Sequence, residues 1–179
     1  MSGKLGRLAV IGVAATLLAA IPPRKLAADE SVDLHSPDTA IAVSPPVALP
    51  DLALTKLDGG KTSLKAYLGH PVVLNFWATW CVPCVAELPE LDKLAAQGVT
   101  VLAVSADHTG AAAVKPFLAK HPLTHVTVLL DPGSDAVHQA QVVGFPTTLI
   151  LDAAGRVRGR LEGPATWSTG AAVVKRLAG

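Results

Sequence analysis

Hydrophobic positions along the chain fall into runs of distinct length and period, and each run predicts an element. Residues 72–77 are apolar except for Asn75. A run this short and this apolar fits a strand at the centre of a sheet, buried on both faces. Leu88, Leu91, Leu94 and Ala95 then recur at helical spacing, with Pro89 expected to kink the helix and Gly98 to end it. Residues 99–104 predict a second central strand, 111–120 a helix and 126–130 a third strand. Asp131-Pro132-Gly133 predicts a turn, and Ser134 the cap of a helix reaching about Val142. Residues 148–151 read as a strand, 152–155 as a turn and 156–161 as an outer strand whose basic residues alternate with Val157, Gly159 and Leu161. Gly163-Pro164 breaks it, and residues 167–177 form the closing helix. Ahead of the first central strand, Asp58-Gly59-Gly60 sits between Leu52, Leu54 and Leu57 on one side and Lys61-Thr62-Ser63-Leu64 on the other. That pattern predicts a hairpin, followed by a short helix over 64–68. The order βαβαβαββα predicts an α/β fold with a central mixed sheet flanked by helices.

One apolar run does not belong to this series. Residues 8–21 form an uncharged stretch of 14 residues behind Lys4 and Arg7, the pattern of an export signal. As a helix it would span about 21 Å, short of a hydrocarbon core of about 30 Å. No A-x-A cleavage site lies between Ala19 and Glu30. Residues 1–28 are therefore expected to be a signal peptide or an N-terminal membrane anchor. Residues 29–46 carry Pro37, Pro45 and Pro46 among polar residues without a period, and read as a flexible linker. The globular domain is expected over 47–179.

Charge changes the picture only by exclusion. The 179 residues carry a formal net charge of +1. Residues 1–28 hold four basic residues and no acid, which leaves 11 basic and 14 acidic in the remainder. A net −3 on the domain argues against a nucleic-acid surface.

The candidate chemistry lies in Trp80-Cys81-Val82-Pro83-Cys84, which holds both cysteines of the chain. Two cysteines this close are either redox partners or ligands of a shared metal. They fall where the central strand gives way to a helix. A helix N-terminus supplies partial positive charge and free backbone N–H groups, which favour a thiolate. Cys81 is expected to be the exposed nucleophile and Cys84, one turn in, the resolving thiol. Pro83 in the first turn costs no helical hydrogen bond. Zinc would need two further ligands. The histidines (35, 70, 108, 121, 125 and 138) supply no suitable pair, since Pro122 separates His121 from His125. With no further ligand pair near the cysteines the redox reading is preferred, and no metal and no cofactor are expected.

The stretch from Phe76 to Cys84 resembles the active-site segment of thioredoxin-fold proteins, and residues 75–90 resemble more narrowly the extracytoplasmic TlpA/ResA-like thiol-disulfide oxidoreductases. Gly144-Phe145-Pro146-Thr147-Thr148 and Gly163-Pro164-Ala165-Thr166-Trp167 carry the same resemblance, which covers about residues 47–179. The helix and strand at about 110–130 resemble the insertion that separates this group from plain thioredoxin. The resemblance implies a Cys81–Cys84 disulfide in the oxidised state and a cis-proline at Pro146. It also implies a client-binding face formed by Trp80, Phe145, Pro146 and Thr147. Glu87 matches the group's acidic residue three after the second cysteine, placed to take and return the proton of Cys84. Thioredoxins carry an aspartate where this chain has Asn75, which cannot act as a base, so Glu87 is the nearby candidate for proton transfer. Trp77 and Trp80 are expected to frame the site, Trp77 being equally well explained by core packing, and Trp167 is read as a packing residue.

The resemblance implies a periplasmic protein, anchored in the inner membrane if residues 8–21 are retained. It would reduce disulfides in client proteins such as apocytochrome c or copper-delivery proteins of oxidase assembly, and be re-reduced by a membrane electron donor. A dithiol oxidase uses the same steps in reverse. A copper-binding chaperone is the alternative from another class, although such proteins favour three residues between the cysteines. A peroxidase would need Thr or Ser three residues before Cys81 and Pro four before that, where Ala78 and Leu74 stand.

Overall fold

The computed structural model describes residues 41–179. The segment expected to be a signal or anchor, residues 1–28, and the first part of the spacer, 29–40, lie outside them. Eight strands form one mixed sheet: β1 (Ile41–Ala48), β2 (Ala53–Lys56), β3 (Lys61–Ser63), β4 (Val72–Trp77), β5 (Thr100–Ser105), β6 (Thr127–Leu130), β7 (Thr147–Leu151) and β8 (Arg156–Glu162). Their order is β1-β8-β7-β4-β5-β6-β2-β3. The helices among the described residues are α1 (Val82–Ala96), α2 (Ala111–Lys120), α3 (Asp135–Gln139) and α4 (Gly170–Ala178), with a 3-10 turn at Leu64–Tyr67. Among the described residues no helix is long and apolar enough to cross a membrane.

The central strand behaves as its composition demands. β4 is buried along its whole length, between parallel β5 and antiparallel β7. Its side chains alternate between two cores, as the two-residue period of a strand requires. Val73 and Trp77 join the core that holds Leu88 and Leu91 of α1, Val114 of α2 and Val173 of α4. Val72, Leu74 and Phe76 join the opposite core, with Leu54 of β2, the 3-10 turn's Leu64 and Val137 of α3. Asn75 lies on the first of these faces by the same alternation, with Thr148 of β7 as its register partner.

Three boundaries differ from the sequence expectation. The spacer expected over 29–46 ends earlier, because residues 41–46 belong to β1, which pairs antiparallel with β8. The register breaks between Ala42 and Val47, around Ser44-Pro45-Pro46. Two prolines cannot donate to a ladder, and a β-strand tolerates them at an edge or an irregularity; β1 is an edge strand. In consequence β8 is not the outer strand: β1 covers it. Ser134 does not cap α3 with its hydroxyl, for it stands in the left-handed region at φ 61° without a side-chain cap bond. Asp131 Oδ2 instead accepts from Val137 N at 2.9 Å, and the helix ends at Gln139, short of Val142. The closing helix starts at Gly170, which leaves Trp167 in the preceding loop. Elsewhere the expected elements stand: the hairpin around Asp58-Gly59-Gly60, with Gly59 at φ 93°, and the inserted α2–β6 unit.

Candidate active site

The sheet delivers the cysteines at the C-terminal end of β4, where Ala78-Thr79-Trp80 turns the chain into α1. Cys81 is the N-cap residue of α1, and its sulfur accepts from Cys84 N at 3.3 Å. Pro83 stands in the first turn, where a missing N–H costs nothing. The two sulfurs are joined as a disulfide across a Cα–Cα distance of 5.3 Å. Cys84 is 1% exposed and Cys81 6%, so Cys81 is far less open than a freely exposed nucleophile. Its neighbours Trp80 and Val82, 65% and 80% exposed, stand proud around it.

Residues from a distant strand complete the rim. The Phe145–Pro146 peptide is cis, and the Phe145 ring meets Trp80 edge-on at 5.8 Å between centroids. Trp80, Cys81, Val82 and Pro83 on one side and Val137, Val142, Val143, Gly144 and Phe145 on the other line a groove of about 640 Å³. No charged side chain lines it. Thr147 does not face this groove with its side chain: it is fully buried, and its hydroxyl donates to Gly144 O at 2.7 Å. Trp77 is also fully buried and packs on Phe117 of α2 at 5.2 Å, so of the two tryptophans only Trp80 frames the surface. Ala78 and Leu74, which occupy the positions a peroxidase would need, are buried and apolar.

Behind the disulfide, one helical turn from Cys84, lies Glu87, 3% exposed. Its Oε1 accepts from Trp167 Nε1 at 2.8 Å and from Ala165 N at 3.1 Å. Its Oε2 accepts from Asn75 Nδ2 at 3.3 Å, and the same Nδ2 donates to Thr148 Oγ1 at 2.9 Å. Burial pushes the Glu87 carboxyl up to about 7, against the opposing pull of the Trp167, Ala165 and Asn75 hydrogen bonds. A carboxyl so poised can gain or lose a proton near neutral pH, as proton transfer to and from a neighbouring thiol requires.

Sequence reasoning missed a second buried acid. Asp107, just after β5, accepts from Thr79 N at 2.9 Å, from Thr79 Oγ1 at 2.7 Å and from Ser105 Oγ at 2.8 Å. It clamps the loop that carries Trp80 and Cys81 to the end of the neighbouring strand. Trp167 was legible only as a packing residue; it is that, and a donor to Glu87 as well. No periodicity marks such pairs, since each joins segments far apart in sequence.

The chain matches the AhpC/TSA family over residues 47–160. It is 36% identical over 121 residues to the thiol-disulfide oxidoreductase ResA of Bacillus thuringiensis subsp. konkukian, an alignment covering 65% of this chain and 69% of that protein. With the ResA protein of Geobacillus kaustophilus it shares 35% identity over 132 residues, 72% of this chain and 74% of the relative. Among solved structures, a secreted Mycobacterium tuberculosis disulfide oxidoreductase superposes with a TM-score of 0.60 at 28% identity, covering 71% of this chain and 96% of the other. A fold of this order, a Cys-x-x-Cys disulfide at a helix N-terminus and these relatives agree: the chain belongs to the AhpC/TSA family of the thioredoxin fold, as a thiol-disulfide oxidoreductase of the ResA type.

Proposed function

We propose that the protein works outside the cytoplasm as a dithiol reductase of client proteins, in cytochrome c maturation or oxidase copper-site assembly. The observation that carries this reading is the pairing of the Cys81–Cys84 disulfide with a buried Glu87 carboxyl raised to about 7. In the reduced protein the Cys81 thiolate attacks one sulfur of a client disulfide and expels the other as a thiolate. Glu87 takes the proton of Cys84, whose thiolate attacks Cys81 Sγ. The Cys81–Cys84 disulfide forms and the second client sulfur leaves as a thiolate; the proton held by Glu87 and one from solvent convert the two client thiolates to thiols. A membrane electron donor returns two electrons, and two protons restore the thiols. The apolar groove between Trp80 and Phe145 receives the client segment, with the Phe145 backbone and Pro146 alongside it. Export rests on the N-terminal pattern of residues 1–28 and on the secreted M. tuberculosis neighbour; a periplasmic domain held at the inner membrane by residues 8–21 fits both.

Direction depends on the potential of the pair relative to its partners. Alkylation trapping of Cys81 and Cys84 in intact cells tests it. Free thiols at steady state support the reductase, whereas a mostly oxidised pair overturns it in favour of a dithiol oxidase.

A further inference from the structure

Asn75 holds a position that its role as a mere donor to Glu87 does not exhaust. Its Oδ1 is one of two buried side-chain polar atoms that lack a hydrogen-bond partner among the described residues, the other being Trp77 Nε1. Asn75 is 1% exposed, so water does not readily relieve that oxygen. Its Nδ2 meanwhile donates twice, to Thr148 Oγ1 at 2.9 Å and to Glu87 Oε2 at 3.3 Å.

The two oxygens of Glu87 are not equivalent. Oε1 receives Ala165 N and Trp167 Nε1, and both groups can only donate. A proton arriving on the carboxylate therefore settles on Oε2 and leaves Oε1 as the carbonyl oxygen that keeps both N–H bonds. The new Oε2–H then faces an amide N–H, two donors with no acceptor between them. The missing acceptor belongs to the same side chain. Half a turn about χ2 exchanges Nδ2 for Oδ1, groups of nearly equal size.

We propose that the Asn75 side-chain amide turns over with each protonation of Glu87, which makes Asn75 a positioning residue that partners both forms of the acid. With Glu87 ionised, Nδ2 donates to Oε2 and to the Thr148 hydroxyl. With Glu87 protonated, Oδ1 accepts from Oε2–H and from Thr148 Oγ1–H, while Nδ2 takes the partnerless place that Oδ1 leaves. Thr148 can serve both arrangements because a hydroxyl donates as well as accepts. The bond formed on protonation is Oε2–H, and the bond broken is the Cys84 S–H in turnover or an O–H of hydronium in a titration.

The groups hydrogen-bonded to Glu87 and Asn75 are neutral. β4 contributes Asn75, β7 contributes Thr148, and the loop before α4 contributes Ala165 N and Trp167 Nε1. On α1 itself Cys84, three residues before Glu87, does not titrate while it is in the disulfide, and Glu90, three residues after it, is paired with Lys93 at 2.7 Å. Glu87 is thus the group that titrates here in the oxidised protein, and its carboxyl, at about 7, populates both orientations near neutral pH. Aspartate at position 75 would set a second carboxyl against the first, and leucine would partner neither form. The inference rests on Glu87 as the proton carrier of the reaction, but its test does not require turnover.

The test is an NMR titration of the oxidised, isotope-labelled full chain. The Glu87 carboxyl carbon gives the midpoint, and the Asn75 Nδ2 protons are followed through their cross-relaxation with the Thr148 side chain. The expected result is a contact that is strong above the Glu87 midpoint and lost below it, with the Asn75 Nδ2 shift titrating at the same pH. A contact that persists unchanged on both sides of the midpoint overturns the exchange of amide orientation. Glu87's part in catalysis fails separately: a Glu87→Gln variant with an unchanged pH–rate profile removes that role and leaves the Asn75 titration standing.

Discussion

The indole of Trp167 donates to Glu87 Oε1 at 2.8 Å across 80 residues of sequence. This bond ties the loop before the last helix to the acid behind the disulfide. It opposes the effect of burial, because an N–H aimed at a carboxylate favours the charged form. The Glu87 carboxyl therefore reflects a balance that single substitutions can tip.

Glu87 itself should leave a mark on stability. Its carboxyl moves from an ordinary 4.5 to about 7 on folding. Between those values the folded protein holds a proton that the unfolded chain releases, so stability falls as pH rises through that window. Below about 4.5 and above about 7 the contribution is flat. The shift corresponds to about 3 kcal/mol. Glu87→Gln should abolish this slope in denaturant midpoints measured across pH. Parallel curves for the two proteins would refute the buried, proton-holding acid.

Trp167→Phe removes one N–H from Oε1 and keeps most of the packing volume. The Glu87 midpoint should rise above about 7, and the pH–rate profile of client reduction should follow it upward. The stability cost should be about 1–3 kcal/mol and larger at high pH, where the ionised carboxylate loses the donor. A midpoint that stays or falls would contradict this arrangement.

Gly170 offers a route to the same bond without touching it. A Cβ there would lie 2.8 Å from Trp167 Cε3 and 3.1 Å from Leu94 Cδ1. Gly170→Ala should displace the indole and cost about 1–3 kcal/mol by overpacking. It should also raise the Glu87 midpoint, as Trp167→Phe does. Thermal melts combined with the Glu87 titration decide this; a stability loss with an unmoved titration would mean that the indole keeps its place.

Asp107→Ala should loosen the loop that presents Cys81. Thr79 N–H, Thr79 Oγ1 and Ser105 Oγ would lose a common acceptor. The expected loss is about 1–3 kcal/mol of stability, with slower client reduction although both cysteines remain. Asp107→Asn, which keeps an acceptor oxygen, should fall between the two proteins in both measurements.

Val143, 84% exposed on the rim of the Cys81 groove, is the position to probe client binding. Val143→Asp puts a charge into an apolar lining and should raise KM for a protein client by at least about tenfold, or about 1.4 kcal/mol. KM for a small disulfide should change less. Equal effects on both would place the client elsewhere.

The sequence by itself determined the elements that rest on local pattern. The apolar run of β4, the helical spacing of Leu88, Leu91 and Leu94, and the glycine turns are periodic signals carried by neighbouring residues. They place Cys81 and Cys84 at a strand-to-helix switch before any tertiary contact is known. Tertiary structure decided what depends on partners far along the chain. Only pairing with β8 turns a proline-punctuated spacer into β1. Only packing sets Cys81 at 6% exposure. Only the meeting of α1, β4 and the loop before α4 gives Glu87 three N–H donors and burial at once. Desolvation and long-range hydrogen bonds are properties of the assembled interior, and no local spacing encodes them.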